Sequence, residues 1–171
     1  ERLPGSLCAP PSARVCVGFS GGLDSTVLLH GLKQHLPNDC TLQAIHIHHG
    51  LHPAADAWAD HCQTVCDALG IALYIERIAI ADFTRNIEAQ ARAARYAAFA
   101  SHVNAGDTLA LAHHADDVAE TLLLRLMRGS GTEALGNMKA HSRYGDLQLW
   151  RPLLMMRRAD LQAYAEANAL A

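Results

Sequence analysis

Short apolar runs alternate along this chain with longer segments in which apolar residues recur at the helical spacing. The short runs predict strands at 14–19, 41–48, 73–78, 108–112 and, more weakly, 148–150. The longer segments predict helices at 24–35, 54–69 with a C-cap at Gly70, 87–104, 115–127 and 157–167. Strands that alternate with helices of this length favour an α/β fold, a doubly wound, Rossmann-like parallel sheet with helices on both faces.

The size and composition of the chain suit one domain. Residues 1–12 hold three prolines and little periodicity, so we predict an irregular lead-in followed by a domain at 13–171. No segment approaches the roughly 20 consecutive apolar residues that span a bilayer, and the first residues do not resemble a leader peptide. We expect a cytoplasmic protein without membrane contact. Five cysteines, an odd count, suit free thiols in a reducing compartment.

Charge is distributed unevenly along the chain. Residues 1–120 carry 7 basic and 13 acidic side chains, a net charge of −6, whereas residues 121–171 carry 7 and 4, a net charge of +3. The total of −3 argues against a wholly basic nucleic-acid-binding protein. The C-terminal third is the better candidate for a surface that faces a polyanion, although chance clustering of solvated arginines explains it equally well.

The turn Ser20-Gly21-Gly22-Leu23-Asp24-Ser25 lies between the first predicted strand and the first predicted helix. Two glycines permit a sharp bend and close approach of backbone amides to an anion, and a helix N-terminus favours phosphate oxygens. A phosphate loop of the G-x-x-x-x-G-K-[ST] type is excluded, because the chain's only lysines are Lys33 and Lys139. The alternative is an ordinary capped glycine turn.

A second polar group opens the fourth predicted helix. His113, Asp117 and Glu120 are spaced i, i+4, i+7, and they share one face if the helical turn begins at the histidine. Such a cluster could hold magnesium through carboxylate oxygens or receive the positive charge of an amine. The alternative is capping, since acids in a first helical turn stabilise the helix dipole.

The third predicted helix carries Glu88, Arg92 and Arg95 at the same i, i+4, i+7 spacing, opposite a stripe of alanines. An isolated pair at i, i+4 is usually a weak solvated contact. Beside a nucleotide site, the forked donors of the arginines suit phosphate contacts instead.

Histidines are dense in the stretch 46–52. His46 and His48 point to one face of a strand, which is compatible with a metal pair of a phosphoesterase, although the H-E-x-x-H pattern is missing. Cys62 and Cys66, at i, i+4 on a helix, suit packing better than metal ligation.

Taken together, the motifs resemble those of the bacterial tRNA(Ile)-lysidine synthetases, ATP pyrophosphatases with an S-G-G-x-D-S loop for pyrophosphate. The resemblance covers most of residues 15–160 in order, and it is carried by the segments 20–25 (S-G-G-L-D-S), 46–51 (H-x-x-H-G-L), 88–96 (E-x-x-A-R-x-x-R-Y), 112–131 (A-H-H-x-D-D-x-x-E-T, then R-G-S-G) and 151–154 (R-P-L-L).

The resemblance implies a two-step ligation. ATP would adenylylate the C2 oxygen of the wobble cytidine in the anticodon loop of tRNA(Ile) and release pyrophosphate, and free L-lysine would then displace AMP. It implies that the segment 20–25 and His46 bind the nucleotide, and that Asp24 and Asp117 lie near Mg2+ or the lysine ammonium. Glu120 would be a candidate base, and the remaining site residues would surround the activated base and the phosphates; these are His113, Arg92 and Arg95.

The resemblance also implies C-terminal tRNA-binding domains that this chain lacks, since it stops at Ala171 within a helical pattern. We therefore expect a catalytic domain. A homodimer is one possible assembly, and the sequence does not determine the oligomeric state. Three alternatives remain at this point. They are a tRNA thiolase of the same fold, an amide-forming ligase such as a GMP or NAD synthetase, and a non-catalytic ATP-binding module. The thiolase would require paired C-x-x-C cysteines, which the sequence lacks.

Overall fold

A computed structural model describes residues 10–48, 50, 53–78, 87–127 and 138–170, without the side chains of residues 87, 88 and 125. Strands and helices alternate through these residues as the hydrophobic pattern predicts. The elements are β1 (Arg14–Gly18), α1 (Leu23–His35), β2 (Thr41–His48), α2 (Ala55–Leu69), β3 (Ala72–Arg77), α3 (Ile87–Ala100), β4 (Thr108–Ala110), α4 (Ala115–Met127), β5 (His141–Tyr144), β6 (Leu147–Trp150) and α5 (Arg158–Ala167).

The strands form one sheet in the order β3-β2-β1-β4-β6-β5. All neighbouring pairs are parallel except the last, in which β5 runs antiparallel to β6. The α/β prediction is confirmed, but β5 was missed and the sheet is not wholly parallel. The missed strand, His-Ser-Arg-Tyr, is a short polar edge strand with no apolar alternation. Gly145, at φ +56°, supplies the positive φ that the two-residue hairpin turn requires.

Two hydrophobic clusters cover the two faces of the sheet. Val15 and Val17 pack in one cluster with side chains of α1, α2 and α5, whereas Cys16 packs in the other with Tyr96 and Phe99 of α3. A strand that is buried on both faces reads as a continuous apolar run. This explains why β1 was recognisable from the sequence.

Element ends differ from the predictions by a few residues. The third helix ends at Ala100 rather than 104, and a turn follows in which the Asn104 amide donates to Asp107 Oδ2 at 3.1 Å. The fourth strand ends at Ala110 rather than 112. The C-cap at Gly70 is confirmed, with φ +62° and its amide donating to Cys66 and Asp67 carbonyls.

The order of the strands fixes where a ligand can bind. β2 and β3 follow on one side of β1, whereas β4 and the later strands lie on its other side. The direction in which successive strands are added therefore reverses beside β1. Ligands of such sheets bind in the crevice outside the carboxyl ends of the strands at that reversal.

Two further features concern the described residues only. No helix among them is both long and apolar enough to cross a membrane. The cysteines among them are free thiols, namely Cys16, Cys40, Cys62 and Cys66.

Candidate functional site

A cavity of about 690 Å3 opens at the carboxyl ends of β1, β2 and β4, where the winding reverses. Its walls combine backbone, histidines, acids and one arginine with apolar side chains. The lining residues are Gly18, Phe19, Ser20, Gly22, Asp24, Ser25, Ile45, His46, Ile47, His48, Ala55, Trp58, Ala91, Arg95, Phe99, Leu111, Ala112 and His113.

The glycine turn forms one wall of this cavity. Gly21 has φ +80°, and a Cβ at that position would lie 2.8 Å from the Sγ of Cys62. Gly22 is the N-cap of α1, and no side chain caps it among the described residues. The first amides of α1 therefore lack helical partners and lie at the cavity with the positive end of the helix dipole. A helix N-terminus of this kind is suited to binding an anion.

Hydroxyl groups brace the turn from within. Ser25 Oγ donates to the Gly22 carbonyl at 2.9 Å and lies 3.0 Å from Ser20 Oγ, while Thr26 Oγ1 donates to the same carbonyl at 3.0 Å. The two serines were expected to offer donors to a phosphate. Their hydrogen bonds within the turn show that they also hold the bend in shape.

His114 lies between two acids that were singled out from the sequence. Its ring is buried at 3% exposure, and its Nε2 lies 3.6 Å from Asp24 Oδ2 and 3.7 Å from Asp117 Oδ2. Asp117 Oδ2 also accepts a hydrogen bond of 2.8 Å from the His114 amide. α4 begins at Ala115, so Asp117 caps the N-terminus of this helix.

This geometry corrects the predicted helical face. His113 precedes α4, so it does not share a helical face with Asp117 and Glu120 in the way the spacing suggested. His113 lines the cavity instead, and Glu120 is exposed one turn along the helix. Sequence reasoning missed His114; the doubled histidine before the acid pair was the available signal.

Four buried side-chain atoms have no hydrogen-bond partner among the described residues, namely Asp24 Oδ1, His113 Nδ1, His114 Nδ1 and Arg151 Nε. Asp24 and His113 line the cavity, whereas His114 Nδ1 lies 3.5 Å from Asp116 Oδ2. Buried polar atoms in folded proteins are nearly always paired, so unpaired ones at a cavity wall are suited to a bound ligand. An unpaired carboxylate oxygen is suited to a hard cation or an ammonium group.

His46 is held in one tautomer. Its Nδ1 donates to the Phe19 carbonyl at 2.9 Å and lies 3.3 Å from Cys62 Sγ, and burial lowers the pKa of the ring. Burial likewise raises the pKa of the Cys62 thiol to about 12, so the thiol stays protonated. His46 therefore lines the cavity as a neutral ring whose Nε2 can accept a hydrogen bond.

The lowered pKa of His46 predicts a pH-dependent stability. In the unfolded chain His46 binds a proton below its ordinary pKa of 6.5, whereas the folded protein binds that proton only at lower pH. The contribution of His46 to the free energy of unfolding is therefore fully present above pH 6.5 and is lost as the pH falls towards the pKa of the folded protein. The slope is at most about 1.4 kcal/mol per pH unit. His46→Asn keeps a donor near the Phe19 carbonyl and should flatten the slope in urea unfolding followed across this range. Equal slopes for both proteins would contradict the prediction.

His48 is tied to a charged pair at the end of β2. Its Nε2 lies 3.2 Å from Asp56 Oδ1 and 3.3 Å from Arg77 Nη1, and Arg77 Nη2 donates to the same Asp56 oxygen at 2.7 Å. Within the described ranges, no group of three or more histidines, cysteines or acids could hold a metal ion. The metal-pair alternative for His46 and His48 thus gains no support from these residues.

Positive charge gathers on the α3 side of the cavity. Arg95 lines it, whereas Arg92 stacks over the Tyr96 ring, 5.0 Å from its centroid. The pKa of His113 is lowered, first by burial and then by the charge of Arg151; Asp117 opposes this shift, and Arg92 and Arg95 add smaller lowering effects. These shifts favour the neutral form of His113.

The cavity thus brings together most of the candidate residues, namely Ser20, Gly22, Asp24, Ser25, His46, Arg95 and His113. Three other candidates are not lining residues. Gly21 is in the bend next to Gly22, and Leu23 is 38% exposed. Asp117 contacts His114, whose Nε2 lies 3.7 Å from Asp117 Oδ2. The remaining motif positions lie outside the described side chains; they are Glu88, His49, Leu51 and the segment 128–131.

Comparisons with known proteins agree with this geometry. The family model of the PP-loop domain matches residues 4–171. A tRNA(Ile)-lysidine synthase of Xanthomonas campestris pv. campestris is 53% identical over 168 residues, which are 97% of this chain and 39% of that protein. One of Pseudomonas aeruginosa is 52% identical over 157 residues, 91% of this chain and 35% of that protein. The chain therefore spans about two fifths of these relatives.

Solved structures show the same fold at low identity. The U34-tRNA thiolase NcsA of Methanococcus maripaludis, solved with its [4Fe-4S] cluster, matches with a TM-score of 0.73 and 21% identity, over 98% of this chain and 61% of that one. An NH3-dependent NAD synthetase of Campylobacter jejuni matches with a TM-score of 0.60 and 15% identity, over 93% and 65%. Identities this low support the fold alone.

Proposed function

The chain belongs to the PP-loop domain family, and from this premise we propose that residues 13–171 are the catalytic domain of a tRNA(Ile)-lysidine synthase. The main support is a single arrangement: an uncapped helix N-terminus behind the Gly21-Gly22 bend opens onto a cavity that is lined by Asp24 and His113, each of which has an unpaired buried atom. Relatives of that name at 53% and 52% identity point to the same activity.

The proposed reaction is an ATP-dependent ligation in two steps. The C2 oxygen of the wobble cytidine of tRNA(Ile) attacks the α-phosphorus of ATP, and the bond to the pyrophosphate breaks. The ε-amine of free L-lysine then attacks C2, loses a proton and displaces AMP. The products are lysidine, AMP and pyrophosphate.

We assign the leaving pyrophosphate to the turn 20–25. Amides at Gly22 and in the first turn of α1 would donate to oxygens on which negative charge builds as the bond breaks. The hydroxyls of Ser20 and Ser25 already brace this turn, so the donors are organised before the substrate arrives. His46 would contact the nucleotide as a neutral acceptor.

We assign Mg2+ to Asp24 and Asp117, and the chemistry of the residues fits. The unpaired Asp24 Oδ1 would be a hard oxygen ligand at the cavity wall, and Asp24 Oδ2 and Asp117 Oδ2 both lie within 3.7 Å of His114 Nε2. When bound, the ion would neutralise phosphate charge, with ATP oxygens and water completing its coordination. His114 would position both carboxylates.

We assign the contacts with the lysine and the cytidine to the remaining candidate residues. Glu120, exposed one turn beyond Asp117, would accept the proton of the attacking amine. Arg95 and His113 line the cavity and would face the phosphates and the activated base, with Arg92 adding positive charge behind them.

Rival ligases of the same fold gain less support. The thiolase and the NAD synthetase match at 21% and 15% identity, against 53% for the lysidine synthase relative. A homodimer and a cytoplasmic location remain predictions, the former to be checked by light scattering of the purified protein.

The test is a reconstituted assay. Purified protein of full natural length, ATP, Mg2+, L-lysine and tRNA(Ile) transcript should yield pyrophosphate and AMP, with labelled lysine incorporated into the RNA. A transcript with another base at the wobble position is the matched control and should yield neither. AMP formation that does not depend on RNA would overturn the proposal in favour of a small-molecule ligase, and nucleotide binding without AMP would indicate a non-catalytic module.

A further inference from the structure

An aromatic shelf lies at the antiparallel edge of the sheet; we define it as Tyr144, Tyr96 and Arg92. The Tyr144 ring of β5 stacks on the Tyr96 ring of α3, with centroids 4.0 Å apart and planes inclined by 19°. The Arg92 guanidinium lies over the same Tyr96 ring. Tyr96 is 4% exposed, whereas Tyr144 is 40% exposed. The shelf thus has a buried base and an exposed upper ring.

Arg151 fixes the shelf to the protein. Its Nη1 donates to the Lys139 carbonyl at 2.9 Å and to Ser142 Oγ at 2.8 Å. Ser142 and Tyr144 lie two residues apart on β5, so they face the same side of the sheet. One buried cation therefore anchors β5, whose Tyr144 ring stacks on Tyr96 of α3.

The shelf is next to the cavity. Phe99, a lining residue, packs edge-on against Tyr96 with centroids 6.2 Å apart. His113, another lining residue, is close enough to Arg92 and Arg151 for their charges to lower its pKa. The buried base of the shelf therefore packs against a side chain of the cavity wall.

The chemistry of the surroundings indicates a nucleic acid as the ligand of the shelf. Arg92 is exposed on the shelf, and residues 121–171 carry a net charge of +3. Exposed aromatic rings beside cations bind single-stranded RNA, because each unpaired base has a π-face and each linkage a phosphate charge.

We propose that Tyr144 stacks on an unpaired RNA base that flanks the cytidine in the cavity. The proposal rests on the proposed function, because the RNA loop supplies the flanking base. Tyr144 is a positioning residue here, since it acts on a base that does not react.

The experiment uses the full-length protein and anticodon stem-loops of tRNA(Ile), each with one loop base other than the wobble cytidine replaced by fluorescent 2-aminopurine. One of these bases should be quenched on binding to the wild-type protein. Tyr144→Leu keeps an apolar contact with Tyr96 but has no π-face, and it should abolish the quenching and weaken RNA binding about tenfold. Tyr144→Phe should behave as wild type. Affinity for ATP should be unchanged in both.

Tyr74→Leu is the matched control, because Tyr74 is similarly exposed, at 44%, on β3 at the opposite edge of the sheet. It should leave quenching and RNA affinity unchanged. Quenching that persists in Tyr144→Leu, or that is lost equally in Tyr144→Phe, would overturn the stacking role while leaving the ligase intact. A wild-type protein that forms no lysidine would instead overturn the proposed function.

Discussion

Replacing Gly21 with alanine should weaken ATP binding at least tenfold and lower RNA-dependent pyrophosphate release by about 100-fold. Gly21 has φ +80°, where an L-residue is strained by about 1–2 kcal/mol, and the new Cβ would lie 2.8 Å from Cys62 Sγ. The turn must shift to relieve both effects, and its amides then leave the positions that a leaving pyrophosphate needs. ATP affinity by calorimetry and pyrophosphate release by a coupled assay measure the two effects.

Gly70→Ala is the matched control for this substitution. Gly70 has a similar φ of +62°, but a Cβ there meets nothing within 4 Å, and it caps α2 away from the cavity. The variant should lose about 1 kcal/mol of stability and keep full activity, since it carries the backbone strain alone. Equal activity of Gly21→Ala and wild type would refute the assignment of pyrophosphate to this turn.

Asp24→Asn should lower the rate of pyrophosphate release by at least about 100-fold without unfolding the protein. The amide keeps the shape of the carboxylate but removes the charge that we assign to Mg2+ or the lysine ammonium. Asp24 lies in the first turn of α1, where a carboxylate interacts favourably with the helix dipole, and its side chain is 31% exposed. The variant should therefore lose no more than about 1 kcal/mol of stability, while the rate falls much further.

Asp39→Asn, in the exposed turn between α1 and β2, is the corresponding control and should leave both activity and stability unchanged. Urea unfolding and a titration of the rate with Mg2+ separate the two causes. If the rate of Asp24→Asn recovers at high Mg2+, the charge acts through the ion; if it does not, the charge acts on the amine. Wild-type rates in the variant would remove Asp24 from the proposed chemistry.

The sequence by itself determined the order of the elements and the place of the glycine turn. β1 is buried on both faces and reads as a continuous apolar run, and Gly70 ends α2 where a positive φ is needed. A local pattern is enough to predict an element where burial repeats with a regular period along the sequence, or where one position needs a glycine. The same reasoning failed for β5, whose polar residues show no period because an edge strand buries little.

Only the tertiary structure decided which polar groups meet. His114 stands between Asp24 and Asp117, although 90 residues separate it from Asp24. Tyr144 stacks on Tyr96 because β5 pairs with β6 in the antiparallel direction at the edge of the sheet. No local sequence pattern predicts this pairing. Helical spacing placed His113 on one face with Asp117, but the helix begins after that histidine. Contacts between distant segments depend on strand order and on where each helix starts, and both are set by packing of the whole sheet.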